Sequence, residues 1–151
     1  MASKLETEVE VTSPADKFWG SIRDSTELFP KIFPQHYQSI KVIEGDGKSD
    51  GNKSAIDMVA GVPFVKFAKE KVEFVDDANK QVKYSVIDGE LLSYYKSFRP
   101  TLQVASKGDG VAVVKWTVEY EKVNDEVPPP ELIQEMAVQT FKDLDAYLLK
   151  N

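Results

Sequence analysis

The sequence predicts an α+β domain in which a curved, seven-stranded antiparallel sheet wraps around one long C-terminal helix. Three patterns predict this fold. Alternating apolar and polar residues recur through most of the chain, two short helical patterns follow the first strand, and a long helical stripe ends the chain. No internal repeat, low-complexity tract or linker interrupts these patterns, so we expect a single domain over residues 1–151.

The long helix is predicted between Pro128 and Leu149. Three consecutive prolines precede its stripe, and a proline at the first helical position loses no hydrogen bond. The stripe runs without Gly or Pro through Leu132, Ile133, Met136, Ala137, Phe141, Leu144, Tyr147 and Leu148. A helix of this length spans roughly 30 Å and needs a large apolar partner, which the strands supply. The residues by themselves favour a helix that closes a dry core over one that roofs a cavity.

Strands and turns account for most of the chain before that helix. Alternation from Leu5 to Val11 indicates a first strand with one buried face and one acidic face in water. Ser13 is then expected to cap a short helix that has Pro14 at its first position. A second short helix covers residues 27–33, and Pro34 ends it. Later strands are predicted over residues 37–44, 54–60, 64–76, 81–88, 94–106 and 111–121, with Pro100 as a bend or a sheet edge.

A loop with Gly45, Gly47 and Gly51 lies between two of these strands. A dinucleotide or phosphate site needs a helix after such a loop, because the helix N-terminus holds the phosphate groups. The residues that follow have no helical stripe, and the glycine spacing fits neither pattern. We therefore interpret the loop as structural, a tight hairpin turn.

Composition excludes several classes of function. The net charge of −6 and the pI near 4.9 argue against binding to nucleic acid. The absence of cysteine excludes disulfides, thiol catalysis and Cys-based metal sites. No stretch approaches the roughly 18 apolar residues of a membrane span, and the first twelve residues lack the apolar region of a secretory signal. We expect a cytoplasmic protein without cofactor or metal, and the acidic first strand favours a monomer.

Five segments along the chain resemble the plant major latex proteins, which belong to the birch-pollen-allergen-like, class-ten pathogenesis-related family of the START-like superfamily. The segments are Leu28-Phe29-Pro30-Lys31, Ile43-Glu44-Gly45-Asp46-Gly47, Tyr84-Ser85-Val86-Ile87-Asp88-Gly89, Val114-Lys115-Trp116 and Tyr147-Leu148-Leu149. The resemblance implies a helix-grip fold with a large internal cavity for hydrophobic plant metabolites of hormone, lipid, flavonoid or alkaloid type. It also implies a link to defence or stress responses. Lys48-Ser49-Asp50 fills the middle of the glycine loop, which is similar to the latex-protein branch.

The residues that we expect to line such a cavity come from the support helices, the sheet and the final helix. They are Ile22, Phe29, Tyr37, Met58, Tyr84, Val86, Phe98, Leu102, Ile133, Met136, Ala137 and Thr140. Most are apolar, which is the usual composition of a small-molecule site. Met136 suits a pocket that accepts several shapes, because its side chain is unbranched and flexible.

Polar candidates for chemistry are few. His36 is the single histidine, and its position at a helix-to-strand turn favours a surface or capping role over a catalytic one. Glu70 and Tyr84 could both point into the cavity. Tyr84 is equally consistent with a hydroxyl that meets the ligand and with one that lies at the rim, whereas a glutamate at such a position is more often exposed. We assign no catalytic residue.

Three hypotheses about function follow. The favoured one is a non-enzymatic protein that binds, stores or transports a small hydrophobic or amphipathic ligand. The alternative is an enzyme of plant specialised metabolism that performs a condensation or isomerisation with polar residues of the cavity. A third, an interaction or storage module without ligand, predicts a collapsed, dry interior.

Overall fold

The structure, a computed structural model, describes residues 3–32, 37–44, 53–58, 67–108 and 110–150. Its elements are β1 (Ser3–Val11), α1 (Ala15–Arg23), α2 (Ser25–Ile32), β2 (Tyr37–Glu44), β3 (Lys53–Met58), β4 (Phe67–Asp76), β5 (Gln81–Gly89), β6 (Tyr95–Gly108), β7 (Val111–Lys122) and α3 (Glu131–Lys150). A short 3-10 turn, Glu90–Ser93, joins β5 to β6. The predicted fold class is confirmed. Four residues singled out in the sequence, Gly45, Gly47, Gly51 and His36, lie outside the described residues, as does Pro34.

The seven strands form one antiparallel sheet in the order β1-β7-β6-β5-β4-β3-β2. On β1 the alternation has the predicted sense, since Val9 and Val11 are buried whereas Glu8 and Glu10 are exposed. The buried positions define the inner face of the sheet, which is the face that the helices cover. Because directly paired residues share a face, the register identifies which residues of the neighbouring strands lie on this inner face.

Pro100 lies in the middle of the sheet rather than at an edge. It pairs with Val118 of β7 on one side. On the other side, the pairing of β5 with β6 runs from Gln81↔Gln103 to Lys83↔Thr101 and stops there. A proline has no backbone N–H to continue a ladder, so the prediction of an edge is wrong and the local effect is an interrupted pairing.

The start of α1 differs from the prediction. Pro14 is the residue before the first helical turn, and no side chain caps the helix. The expected N-cap, Ser13, is fully buried, and its hydroxyl donates to Asp145 of α3 at 2.5 Å. The hydroxyl of Ser13, which the local sequence pattern predicts to cap α1, therefore bonds the distant carboxylate of Asp145 instead. Trp19 of α1 bonds the β4–β5 turn through its indole N–H, 3.0 Å from Oδ1 of Asp77.

Polar bonds hold α3 near both of its ends. Towards the C-terminus, Asp145 accepts from the backbone N–H groups of Thr12 at 3.0 Å and Ser13 at 2.9 Å. The ammonium of Lys17 donates to the carbonyl of Leu148 at 2.8 Å, which places a cation at the negative end of the helix dipole. Before the N-terminus, the hydroxyl of Tyr95 donates to the carbonyl of Pro128 at 2.7 Å.

The tightest packing lies under the second half of α3. Phe18, Val114, Val118 and Leu144 are fully covered. Phe18 meets Phe141 edge to face with ring centroids 6.3 Å apart, a geometry that aromatic pairs prefer. The dense core thus joins α1, β7 and the C-terminal half of α3.

Gly89 is a position that a side chain cannot occupy. Its φ is +120°, and a Cβ there would lie 2.3 Å from the carbonyl oxygen of Phe67. We predict that Gly89→Ala destabilises the fold by more than about 2 kcal/mol, measured by denaturant unfolding. Gly20→Ala is the matched control, because nothing lies within 4 Å of a Cβ at this position in α1. It should be neutral or stabilising by up to about 1 kcal/mol; equal effects of the two changes would contradict this account.

The bonds at Asp145 make stability depend on pH. Burial raises the pKa of Asp145, but the hydrogen bonds from Ser13 and Thr12 outweigh burial and leave the pKa below its usual value. A lowered pKa gives stability that is present above the ordinary carboxyl pKa of about 4 and is lost as pH falls further. We predict that Asp145→Asn costs about 1–3 kcal/mol at pH 7 and clearly less at pH 3, by denaturant unfolding.

The control for this measurement is Asp143→Asn. The Asp143 carboxylate accepts a hydrogen bond from Gln139 of the same helix, and such local pairs contribute only about 0.2–0.5 kcal/mol. A pH-independent loss in Asp145→Asn, or a loss of the same size in Asp143→Asn, would show that the carboxylate does not tether the helix.

Candidate ligand-binding site

The inner stripe of α3 changes character along the helix. Phe141, Leu144 and Leu148 are buried, but Ile133 and Ala137, which lie on the same line one to three turns earlier, are only half-buried. The solvent face of α3 is a different one, marked by exposed residues at 131, 135, 139, 142 and 146. The inner surface of the first half of α3 is therefore less covered than that of the second half.

The sheet carries matching surface on β4 and β5. Val82 and Val86 are buried, and Tyr84 between them is half-buried and packs against the same core as Ile133 and Ala137. The register pairs Val72 with Tyr84 and Glu70 with Val86. Glu70 consequently lies on the inner face. We infer that the first half of α3 (133–140) and this part of β4 and β5 (70–72 and 84–86) border one interior space, and we call this space the hollow.

Glu70 has an unusual environment. Burial raises the pKa of its carboxyl to about 7, because a charged group loses its hydration among protein atoms. Its side chain nevertheless remains half-buried, and within the described residues no buried side-chain oxygen or nitrogen lacks a partner. Among the described residues, no hydrogen bond or ion pair of this carboxyl is found. A partly buried, desolvated carboxyl on the inner face is the arrangement expected where a carboxyl lines an enclosed hollow.

Comparison with known proteins identifies the family. Residues 1–151 match the Pathogenesis-related protein Bet v 1 family. The chain belongs to this family. Its members generally bind small hydrophobic ligands, and the predicted resemblance to major latex proteins is confirmed.

Relatives within the Bet v 1 family carry latex-protein names. MLP-like protein 423 of Arabidopsis thaliana is 45% identical over 150 residues, which cover 99% of this chain and 96% of that protein. Major latex protein 146 of Papaver somniferum is 33% identical over 150 residues, covering 98% and 92%.

Solved structures show the same fold. Ginseng major latex-like protein 151 from Panax ginseng superposes with a TM-score of 0.88 at 24% identity, covering 98% of each chain. Norcoclaurine synthase from Thalictrum flavum, in complex with dopamine and hydroxybenzaldehyde, superposes with a TM-score of 0.80 at 23% identity, covering 100% of this chain and 88% of that one. At these identities the likeness establishes the shared helix-grip fold.

The predicted lining residues of this Bet v 1 family protein fall into three groups. Ile22, Phe29, Val86, Phe98 and Leu102 are buried in the core, whereas Tyr84, Ile133, Met136, Ala137 and Thr140 are half-buried. Tyr37 and Met58 stand directly opposite each other in the register of β2 and β3, and their side chains lie outside the described part of the structure. Contact of any of these residues with a ligand stays a prediction.

Two polar side chains behave differently from expectation. The hydroxyl of Thr140 donates to the carbonyl of Met136 at 2.9 Å, so it turns towards its own helix. Glu70, for which exposure was the commoner expectation, lies on the inner face instead. The sequence contains the signal for this placement. Glu70 alternates with Lys69 and Lys71, and it therefore shares a strand face with the apolar Ala68 and Val72.

Two further classes of site are absent from the described residues. No helix among them is long and apolar enough to cross a membrane. No three His, Cys, Asp or Glu side chains of these residues gather closely enough to hold a metal ion.

The raised pKa of Glu70 predicts a stability cost at neutral pH. A folded-state pKa of about 7 exceeds the unfolded value of 4.5, so stability is fully present below pH 4.5 and declines as pH rises to 7. Glu70→Gln keeps the shape and removes the titration. We predict equal unfolding free energies for the two proteins near pH 4.5 and a variant more stable by about 2 kcal/mol at pH 8. A variant that is less stable at pH 8 would place the carboxylate in a favourable pairing instead.

Proposed function

We propose that this protein binds, stores or transports a small hydrophobic or amphipathic plant metabolite in the hollow. The observation that carries the proposal is that the inner stripe of α3 and the inner-face residues Tyr84 and Glu70 are all only half-buried around one core. The ligand classes that fit a mostly apolar chamber with few polar groups are hormones, lipids, flavonoids and alkaloid-type molecules. We further propose a cytoplasmic monomer with a role in defence or stress responses.

Affinity for such a ligand would come mainly from the hydrophobic effect. Burying about 300 Å² of apolar surface at about 25 cal/mol per Å² contributes about 7 kcal/mol before ordering costs. That sum corresponds to micromolar binding at best. The flexible side chain of Met136 supports a site that accepts related shapes rather than one molecule.

A second candidate function, catalysis, is favoured by Glu70. A carboxyl with a pKa of about 7 suits proton transfer near neutral pH, provided that it reaches a reacting atom. The shared fold with norcoclaurine synthase, an enzyme, is compatible with this alternative. Binding of candidate substrates without product formation would leave the binding function alone.

Filling the hollow tests the proposal directly. Ala137 lies at the centre of the inner stripe, so Ala137→Trp should occupy the space. We predict that it weakens binding of an uncharged apolar dye, Nile red, at least tenfold in a fluorescence titration, that is, by about 1.4 kcal/mol or more. The wild-type protein should bind the dye at micromolar concentration.

The matched control is Glu135→Trp, on the exposed face of the same helix. It adds the same aromatic group without entering the hollow, and its dye affinity should equal that of the wild type. Absence of dye binding by the wild type would support the dry-interior hypothesis and overturn the proposed function.

A further inference from the structure

Glu70 is the feature of the hollow that apolar packing does not explain. Its neighbours on the inner face of β4 are Ala68 and Val72, both buried. Another apolar residue would complete this row without cost, whereas an ionised carboxyl out of water needs a partner. Among the described residues, no hydrogen bond or ion pair to this carboxyl is found.

Within the described strands, the register places no cation directly beside Glu70. Its own neighbours, Lys69 and Lys71, occupy the opposite face by strand alternation. On β5, Val86 is paired with it and Tyr84 is the nearest titratable residue of the inner face, while Asp88 is paired with Lys69. On β3, the register position opposite Glu70 is Ser54.

Ionisable residues of β3 and α3 within the described ranges lie at other positions. On β3, Lys53 and Asp57 are paired with Lys71 and Phe67, positions that alternate out of phase with Glu70. The inner stripe of α3 from residue 133 to 141 holds no ionisable group. The Asp143 carboxylate accepts from Gln139, and Asp145 is occupied by the residues that precede α1.

We propose that Glu70 recognises the polar end of the ligand and that this end is a protonated amine on an otherwise apolar molecule. A charge-assisted hydrogen bond between an ammonium and a carboxylate is about twice as strong as a neutral one. The same carboxylate repels anionic amphiphiles such as fatty acids. This inference rests on the proposed function and adds to it the chemical class of the ligand.

If Glu70 contacts the ligand, the affinities of charged and uncharged ligands should change with pH in opposite directions. An ammonium binds the ionised carboxyl, so its affinity rises with pH through the pKa of about 7. An alkylamine stays protonated over this interval, because aliphatic ammonium groups titrate at about pH 10. An alcohol of the same chain length cannot neutralise the charge of the ionised carboxyl, so it binds better when Glu70 is protonated. The affinity for the alcohol should therefore fall as pH rises.

The experiment is displacement of Nile red from the full-length chain by octylamine and by 1-octanol, each at pH 6 and pH 8. For octylamine we expect up to about a tenfold gain in affinity from pH 6 to pH 8, which follows the ionised fraction of Glu70. For 1-octanol we expect a loss over the same interval. Glu70→Gln should remove both pH dependences and weaken octylamine binding at pH 8.

Glu73→Gln is the matched control. It removes a carboxylate of the same strand that is exposed and accepts the hydroxyl of Ser85 at 2.5 Å, and it should preserve the wild-type pattern. Equal pH slopes for octylamine and 1-octanol in the wild type would overturn the inference, even if Glu70→Gln failed to fold. Tighter binding of octanoate than of octylamine at pH 8 would also overturn it. Either result with intact Nile red binding leaves the proposed function standing, whereas absent Nile red binding overturns both.

Discussion

The proposed hollow depends on how α3 is held: polar bonds fix the helix near both ends, and the dense packing lies under its second half. Asp145 and Lys17 join the C-terminal half to β1 and α1, and Tyr95 holds the segment before the helix at Pro128. These partners are far apart in sequence, so their bonds set the position of the helix relative to the sheet. Between them, Ile133 and Ala137 of the inner stripe are only half-buried.

Leaving these side chains only half-buried is unfavourable for stability. Half-buried apolar residues on the inner stripe gain less from the hydrophobic effect than the buried Leu144 or Phe141, and Glu70 adds the desolvation of a carboxyl. Proteins often tolerate such costs where a site must bind something. Dense packing around Phe18 and Val114 offsets them within the same small domain.

Periodicity predicted the fold well because its signals are local. The alternation on β1 and the stripe on α3 each follow from neighbouring residues, and the elements lie close to where the sequence placed them. Ser13 and Pro100 were misjudged because their partners are distant: Asp145 competes for the hydroxyl of Ser13, and the position of β6 between two strands decides what the missing N–H of Pro100 interrupts. The candidate site was harder still, since burial of residues such as Phe98 and Leu102 depends on how closely separate elements approach.

The interrupted ladder beside Pro100 divides the sheet into two panels, β1-β7-β6 and β5-β4-β3-β2, which are joined over three residue pairs. The β5–β6 boundary has few backbone hydrogen bonds, so it opens at a lower free-energy cost than the long ladder between β6 and β7. The panel with Glu70 and Tyr84 could then swing slightly outward while the panel that carries the dense core stays fixed. Widening of the hollow for a bulkier ligand would then cost little free energy. The site would adapt through its backbone as well as through its side chains.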